Sequence, residues 1–199
     1  MNVVFFGSSS FSVPILESIA SFVSCVVTKK GKPKGRGYLL EDSEVKRAAT
    51  ALRLPVVEIE SFKDQAAGEI EAYKPSLFVV ASFGLIIPRW ALEIPSIGPV
   101  NVHPSLLPKY RGPSPIQWAL WNGDKETGIT FIRMNEKMDA GNILSKNLEY
   151  LASAQMAGIV LGATAPVVLT SRSDPPRARV YSLALAGLLA RGGAFSNEE

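Results

Sequence analysis

The chain has 199 residues, 47% of them hydrophobic and 20% charged, with a net charge of +3. That suits one domain with a sizeable core and excludes a disordered chain; the mild positive charge permits a polyanionic partner without requiring one. One cysteine, Cys25, and one histidine, His103, exclude an internal disulfide and a structural zinc site, and no apolar run reaches the roughly 18 residues of a membrane span.

Strand and helix signals alternate along the chain. Asn2–Phe6 is a short apolar run ending at Gly7, the pattern of a strand buried on both faces. MNVVFF lacks the basic head and cleavage site of a signal peptide, so it reads as the first strand. Ser10–Phe22 carries Val13, Leu16, Ile19 and Ala20 at helical spacing, with serines as candidate caps. Val23–Thr28 is the next strand; it holds Cys25, which reads as a small buried hydrophobe in a reducing, cytoplasmic setting. Lys29–Gly37 is a basic, glycine-rich loop. Glu44–Leu52 is a helix, Val56–Val57 a short strand, and Phe62–Tyr73 a helix closed by Pro75.

Leu77–Ala81 is the clearest buried strand. Pro88–Leu92 is a turn or short helix, and Gly98–Val102 is a strand leading to His103. Pro115–Gly123 is helical and Gly128–Met134 a strand. Such alternation implies an α/β fold: an open, mostly parallel twisted sheet with helices on both faces. Ligands of such sheets gather beyond the carboxyl ends of the strands. Near residue 150 the composition changes. All eleven lysines fall at or before Lys146, and later positive charges are arginine only. The division expected is 1–149 and 150–199. The second part holds a strand-like run, Pro166–Leu169, and a helical run, Ala178–Leu189.

Three stretches could carry chemistry. The first βα turn, Gly7-Ser8-Ser9-Ser10-Phe11, has one glycine where a dinucleotide fingerprint has three, so it reads as a tight turn whose amides could help hold an anion. KKGKPKGRG places Lys29, Lys30, Lys32, Lys34 and Arg36 within nine residues. It reads either as a solvated loop or as one that seeks nucleic-acid phosphates. VNVHPSLLPKYRG, residues 100–112, is the most informative. Residues two apart in an extended segment share a side, so Asn101 and His103 face one spot. An amide can donate to a carbonyl oxygen, and an imidazole can take a proton near neutral pH. Pro104 and Pro108 stiffen the loop after the histidine. A carboxylate is still needed to orient the ring; Asp139, in MDAGN, is the candidate, although taken alone it reads more readily as a turn or cap aspartate. Asp124 reads as an exposed turn residue.

These motifs carry a resemblance. VVFFGSSSFSVPILESI, VVTKKGKPKGRG, VVASFGLIIP, VNVHPSLLPKYRGPSPIQWAL and NGDKETGITFIRMNEKMDAGNIL, in that order, resemble the catalytic domain of the methionyl-tRNA formyltransferases over residues 1–149. The Asn-x-His-x-Ser-Leu-Leu-Pro core with a distant Asp is shared with glycinamide ribonucleotide transformylase and other formyltransferases. The Lys-Pro-x-Gly-Arg-Gly loop and the Arg-Gly-x-x-Pro-Ile-Gln segment narrow the resemblance to the tRNA enzymes.

The resemblance implies a formyltransferase-like Rossmann-type fold. It implies transfer of a formyl group from 10-formyltetrahydrofolate to the amino group of initiator methionyl-tRNA, with no metal and no membrane partner. Asn101, His103 and Asp139 would be catalytic. Ser105, Leu106, Leu107 and Pro108, with Phe83, Gly84 and Ile86, would contact folate. Lys32, Lys34 and Arg36 would approach the tRNA. The family's C-terminal tRNA-binding domain is not recognisable, so weak tRNA binding and impaired turnover are expected. The stretch from Leu151 instead resembles the C-terminal end of phosphate acetyltransferases through GIVLGATAPVVLTSRSD. The alternatives are therefore a chimeric folded domain without efficient activity, or a binding module for folate or a nucleotide.

Overall fold

The computed structural model describes residues 1–34, 39–62, 66–150, 157–160 and 167–170. The expected helix Ala178–Leu189 lies outside these residues. The chain divides into two compact units, Met1–Pro99 and Val100–Glu199.

In the first unit, β1 (Val3–Gly7) is followed by α1 (Val13–Ile19), β2 (Val23–Lys29), β3 (Lys32–Lys34) and β4 (Leu39–Glu41). Then come α2 (Glu44–Ala51), β5 (Val56–Ile59), α3 (Ala66–Glu71), β6 (Leu77–Ala81) and α4 (Arg89–Leu92). Four strands lie in the order β5-β2-β1-β6, all parallel. Every residue of β1 and of β6 is buried. A parallel strand covered on both faces has no polar side to show, which is why both read as unbroken apolar runs. Phe6 meets Phe78 at 4.7 Å between ring centroids and Phe83 at 5.3 Å edge-on.

The helix expected over Ser10–Phe22 is three pieces: a 3-10 turn at Ser10–Ser12, α1, and a second 3-10 turn at Ala20–Phe22. Pro14 explains the start. It has no N–H to bond back to Ser10, so it is tolerated only in the first helical turn. Ile15, Leu16 and Ile19 give α1 its buried stripe. Ser43 caps α2, its hydroxyl accepting from the Lys46 amide at 3.0 Å.

The basic segment read as a loop contains a hairpin. β3 and β4 pair antiparallel, Lys32 with Glu41, Pro33 with Leu40 and Lys34 with Leu39. Gly31 permits the approach; a Cβ there would come within 2.7 Å of the Glu41 carbonyl.

The second unit takes up most of β7 (Gly98–His103) and continues with α5 (Pro115–Trp121), β8 (Glu126–Arg133), β9 (Asn142–Tyr150), β10 (Ala157–Val160) and β11 (Val167–Thr170). Here the pairing is antiparallel throughout: β7 with β8, β8 with β9, and β10 with β11. The expected parallel arrangement thus holds for β5, β2, β1 and β6, whereas the strand pairs of the second unit are antiparallel. β9 and β10 are strands that the sequence did not announce. No helix among the described residues is long and apolar enough to cross a membrane.

Cys25 is fully buried in β2, and burial pushes its thiol up to about 11. A raised thiol stays protonated in the folded chain while the unfolded chain ionises, so stability falls as pH rises from about 9 toward 11. Titration with a disulfide reagent at pH 8 will find the thiol silent in the native protein and reactive once urea is added. Rapid native reaction would show that β2 is not covered.

Candidate active site

β7 carries the first two site residues. Val100 and Val102 are buried on one side, and the pleat turns Asn101 and His103 to the other. The chain then turns sharply through residues 104–112, with a cis bond between Leu107 and Pro108. Thr130, on β8 opposite His103, fastens this loop from beneath. Its hydroxyl donates to the Ser105 carbonyl at 2.7 Å and accepts from the Leu107 amide at 3.0 Å. The Ser105 hydroxyl donates to the Lys109 carbonyl at 2.6 Å. Gly128 lets β8 run close below: a Cβ there would fall within 2.7 Å of Leu106 Cδ2 and far inside contact with the Asn147 carbonyl.

Asp139 arrives from the turn between β8 and β9, in the left-handed region at φ 47° that aspartate tolerates better than most residues. Its Oδ1 accepts from Asn101 Nδ2 at 3.1 Å. Its Oδ2 accepts from the Gly112 amide at 2.8 Å and lies 3.5 Å from His103 Nδ1. The imidazole and carboxylate are only 5% and 12% exposed. The other ring nitrogen, Nε2, lies 2.9 Å from the Tyr110 carbonyl. A carbonyl oxygen only accepts, so it pairs with Nε2 in the tautomer that carries its hydrogen there, and in that tautomer the lone pair on Nδ1 faces Asp139. The Asn101 amide has two hydrogens, of which Asp139 takes one. The trio therefore offers an amide donor, an imidazole nitrogen able to take a proton, and a carboxylate to receive the resulting charge.

The other expected residues are placed in turn. Ser105 and Leu107 are buried, Leu106 is half-buried and Pro108 exposed. Phe83 is buried within the first unit's aromatic cluster, Gly84 has φ 72°, and Ile86 is 79% exposed. Lys32 and Lys34 lie on β3. Arg36 lies outside the described residues. Among the described residues, no group of three or more His, Cys, Asp or Glu is placed to hold a metal.

One expectation is corrected. Asp124 is not an exposed turn residue: it is 18% exposed and accepts from the Tyr110 hydroxyl at 2.9 Å, with Lys109 Nζ at 3.4 Å. Sequence reasoning also missed Thr130, Tyr110 and Gly112. Thr130 had a faint signal, a hydroxyl inside the apolar run ITFI. Gly112 contributes a backbone amide, and Tyr110 both its carbonyl and its hydroxyl, to partners that local spacing does not reveal.

The formyl transferase family model matches residues 1–152. Among curated relatives, a methionyl-tRNA formyltransferase of Anaplasma marginale is 47% identical over 147 residues, 72% of this chain and 49% of the relative. One from Syntrophus aciditrophicus is 44% identical over 148 residues, 72% and 47%. One from Halalkalibacterium halodurans is 40% identical over 182 residues, 88% and 57%. The chain spans about half the length of the curated relatives it matches. Among solved structures, the phosphoribosylglycinamide formyltransferase of Bacillus halodurans superposes with TM-score 0.64 at 21% identity, covering 96% of each chain. At that identity the likeness speaks for the α/β fold. The family match and the relatives' identities together show that this chain belongs to the formyl transferase family.

Proposed function

We propose that the chain transfers a formyl group from 10-formyltetrahydrofolate to the amino group of methionyl-tRNA, in the cytoplasm where charged tRNA is used. The observation that carries this reading is the convergence of Asn101, His103 and the Gly112 amide on the two oxygens of Asp139. Family membership supplies the reaction class. The choice of tRNA over another amine rests on the 40–47% identity to proteins named methionyl-tRNA formyltransferase.

The folate co-substrate supplies the electrophilic formyl carbon. As the amine adds to it, the free hydrogen of the Asn101 amide stabilises the negative charge growing on the formyl oxygen. His103 Nδ1 takes the proton lost by the amine and returns it to the departing folate nitrogen. Asp139 stabilises the imidazolium formed in between and holds Asn101 in place. Ser105, Leu106, Leu107 and Pro108 contact folate largely through their backbone in this reading, since two of their side chains are turned inward. Lys32 and Lys34, with Arg36, meet tRNA phosphates.

Residues 1–149 are then the catalytic domain and 150–199 an added segment. A chimeric origin of that segment rests on the run from Gly158 to Asp174. Against it, the alignment with the Halalkalibacterium relative covers 88% of the chain and so carries the likeness past residue 150.

The test is formylation of methionyl-tRNA with His103→Ala and Asp139→Asn chains. Each will lose about a hundredfold or more in rate, the usual consequence of removing a group that handles transition-state charge. Rates near that of the unsubstituted chain for either variant would refute the assignment.

A further inference from the structure

We propose that Asp124 and Tyr110 are positioning residues that choose which nitrogen of His103 handles the proton, acting through the backbone of residue 110. The proposal rests on the formyl-transfer reading, in which His103 works through Nδ1. A neutral imidazole has two tautomers, and only the nitrogen without a hydrogen can take a proton. The Tyr110 carbonyl, 2.9 Å from Nε2, keeps the hydrogen there and leaves Nδ1 free toward Asp139.

That carbonyl is aimed at the ring because Tyr110 has φ 56°, in the left-handed region that bulky side chains avoid. The tip of the same residue is fastened. Its hydroxyl donates to Asp124 Oδ2 at 2.9 Å and accepts from Asn122 Nδ2 at 3.1 Å. Both partners are fixed by the end of α5. The Asn122 amide donates to the Trp118 carbonyl and the Asp124 amide to the Ala119 carbonyl, each at 3.0 Å. The helix end holds Asp124 and Asn122, these hold the tyrosine hydroxyl, and the hydroxyl keeps the backbone of residue 110 in a conformation it would otherwise leave. Its carbonyl then sets the tautomer. The Asp124 carboxylate bonds to Tyr110 and Lys109, whereas Asp139 is the carboxylate that meets Asn101 and His103. The influence of Asp124 on the ring therefore passes through Tyr110.

His103 is the only histidine. The full chain labelled with heavy nitrogen in histidine alone therefore gives one pair of ring-nitrogen resonances that need no assignment. In the unsubstituted chain the neutral ring will carry its hydrogen on Nε2. Tyr110→Phe and Asp124→Ala will each raise the Nδ1–H form to a comparable share. Asp124→Asn keeps an oxygen that accepts from the tyrosine hydroxyl, and will retain the original pattern. In parallel, kcat for formyl transfer will fall about tenfold in the first two variants, equivalent to about 1.4 kcal/mol, with KM for 10-formyltetrahydrofolate unchanged. An unaltered tautomer pattern in Tyr110→Phe and Asp124→Ala overturns the proposal, even if their rates fall, because the network would then be merely structural. Should Asp124→Ala fail to fold, Tyr110→Phe decides alone. If the unsubstituted chain transfers no formyl group, the functional reading fails while the ring spectra still decide the positioning claim.

Discussion

A carboxylate that is nearly out of water must have its oxygens satisfied, and that requirement organises the second unit around Asp139. Leaving such a group unpaired costs several kcal/mol or forces it to neutralise. Here the donors come from separate stretches of chain: the Asn101 amide from β7 and the Gly112 backbone from the loop beyond it, with His103 Nδ1 alongside. The same contacts that make burial of Asp139 tolerable bring an amide, an imidazole and a carboxylate to one point. Structure and candidate chemistry are thus the same set of bonds.

The rest of the unit keeps these contacts in register. β8 supplies Thr130, which ties the Ser105 carbonyl and the Leu107 amide into one hydrogen-bonded turn. The end of α5 supplies Asp124 and Asn122, which anchor Tyr110. Tyr110 and Asp139 both have positive φ, at 56° and 47°. Each such residue stores roughly 1–3 kcal/mol that surrounding bonds must offset. Both lie within the polar network that surrounds His103.

Much of this was legible in the residues. β1 and β6 announced themselves because strands covered on both faces must be apolar throughout. Asn101 and His103 were legible as a pair from the two-residue period of a strand, and Asp139 from the need for a carboxylate to orient the imidazole. β9 was not. Its buried positions hold the polar Ser145 and Asn147, and the register shift opposite Phe131 and Ile132 breaks the two-residue period so that Ile143 is exposed. The β3–β4 pairing was not legible because the partners that define it, Lys32 with Glu41 and Lys34 with Leu39, are five to nine residues apart in the sequence. Tyr110, Asp124 and Thr130 act by bonds between residues 14 to 25 apart, and local spacing carries no information about such bonds.

The central claim is that Asn101, His103 and Asp139 act as one unit. A double-substitution cycle of Asn101→Ala and Asp139→Ala, read as kcat/KM for formyl transfer, addresses it most directly. Groups that act together are not additive. Each single variant is therefore predicted to lose about a hundredfold or more, and the pair little beyond the worse of the two. A double variant whose loss equals the product of the single losses would contradict the account.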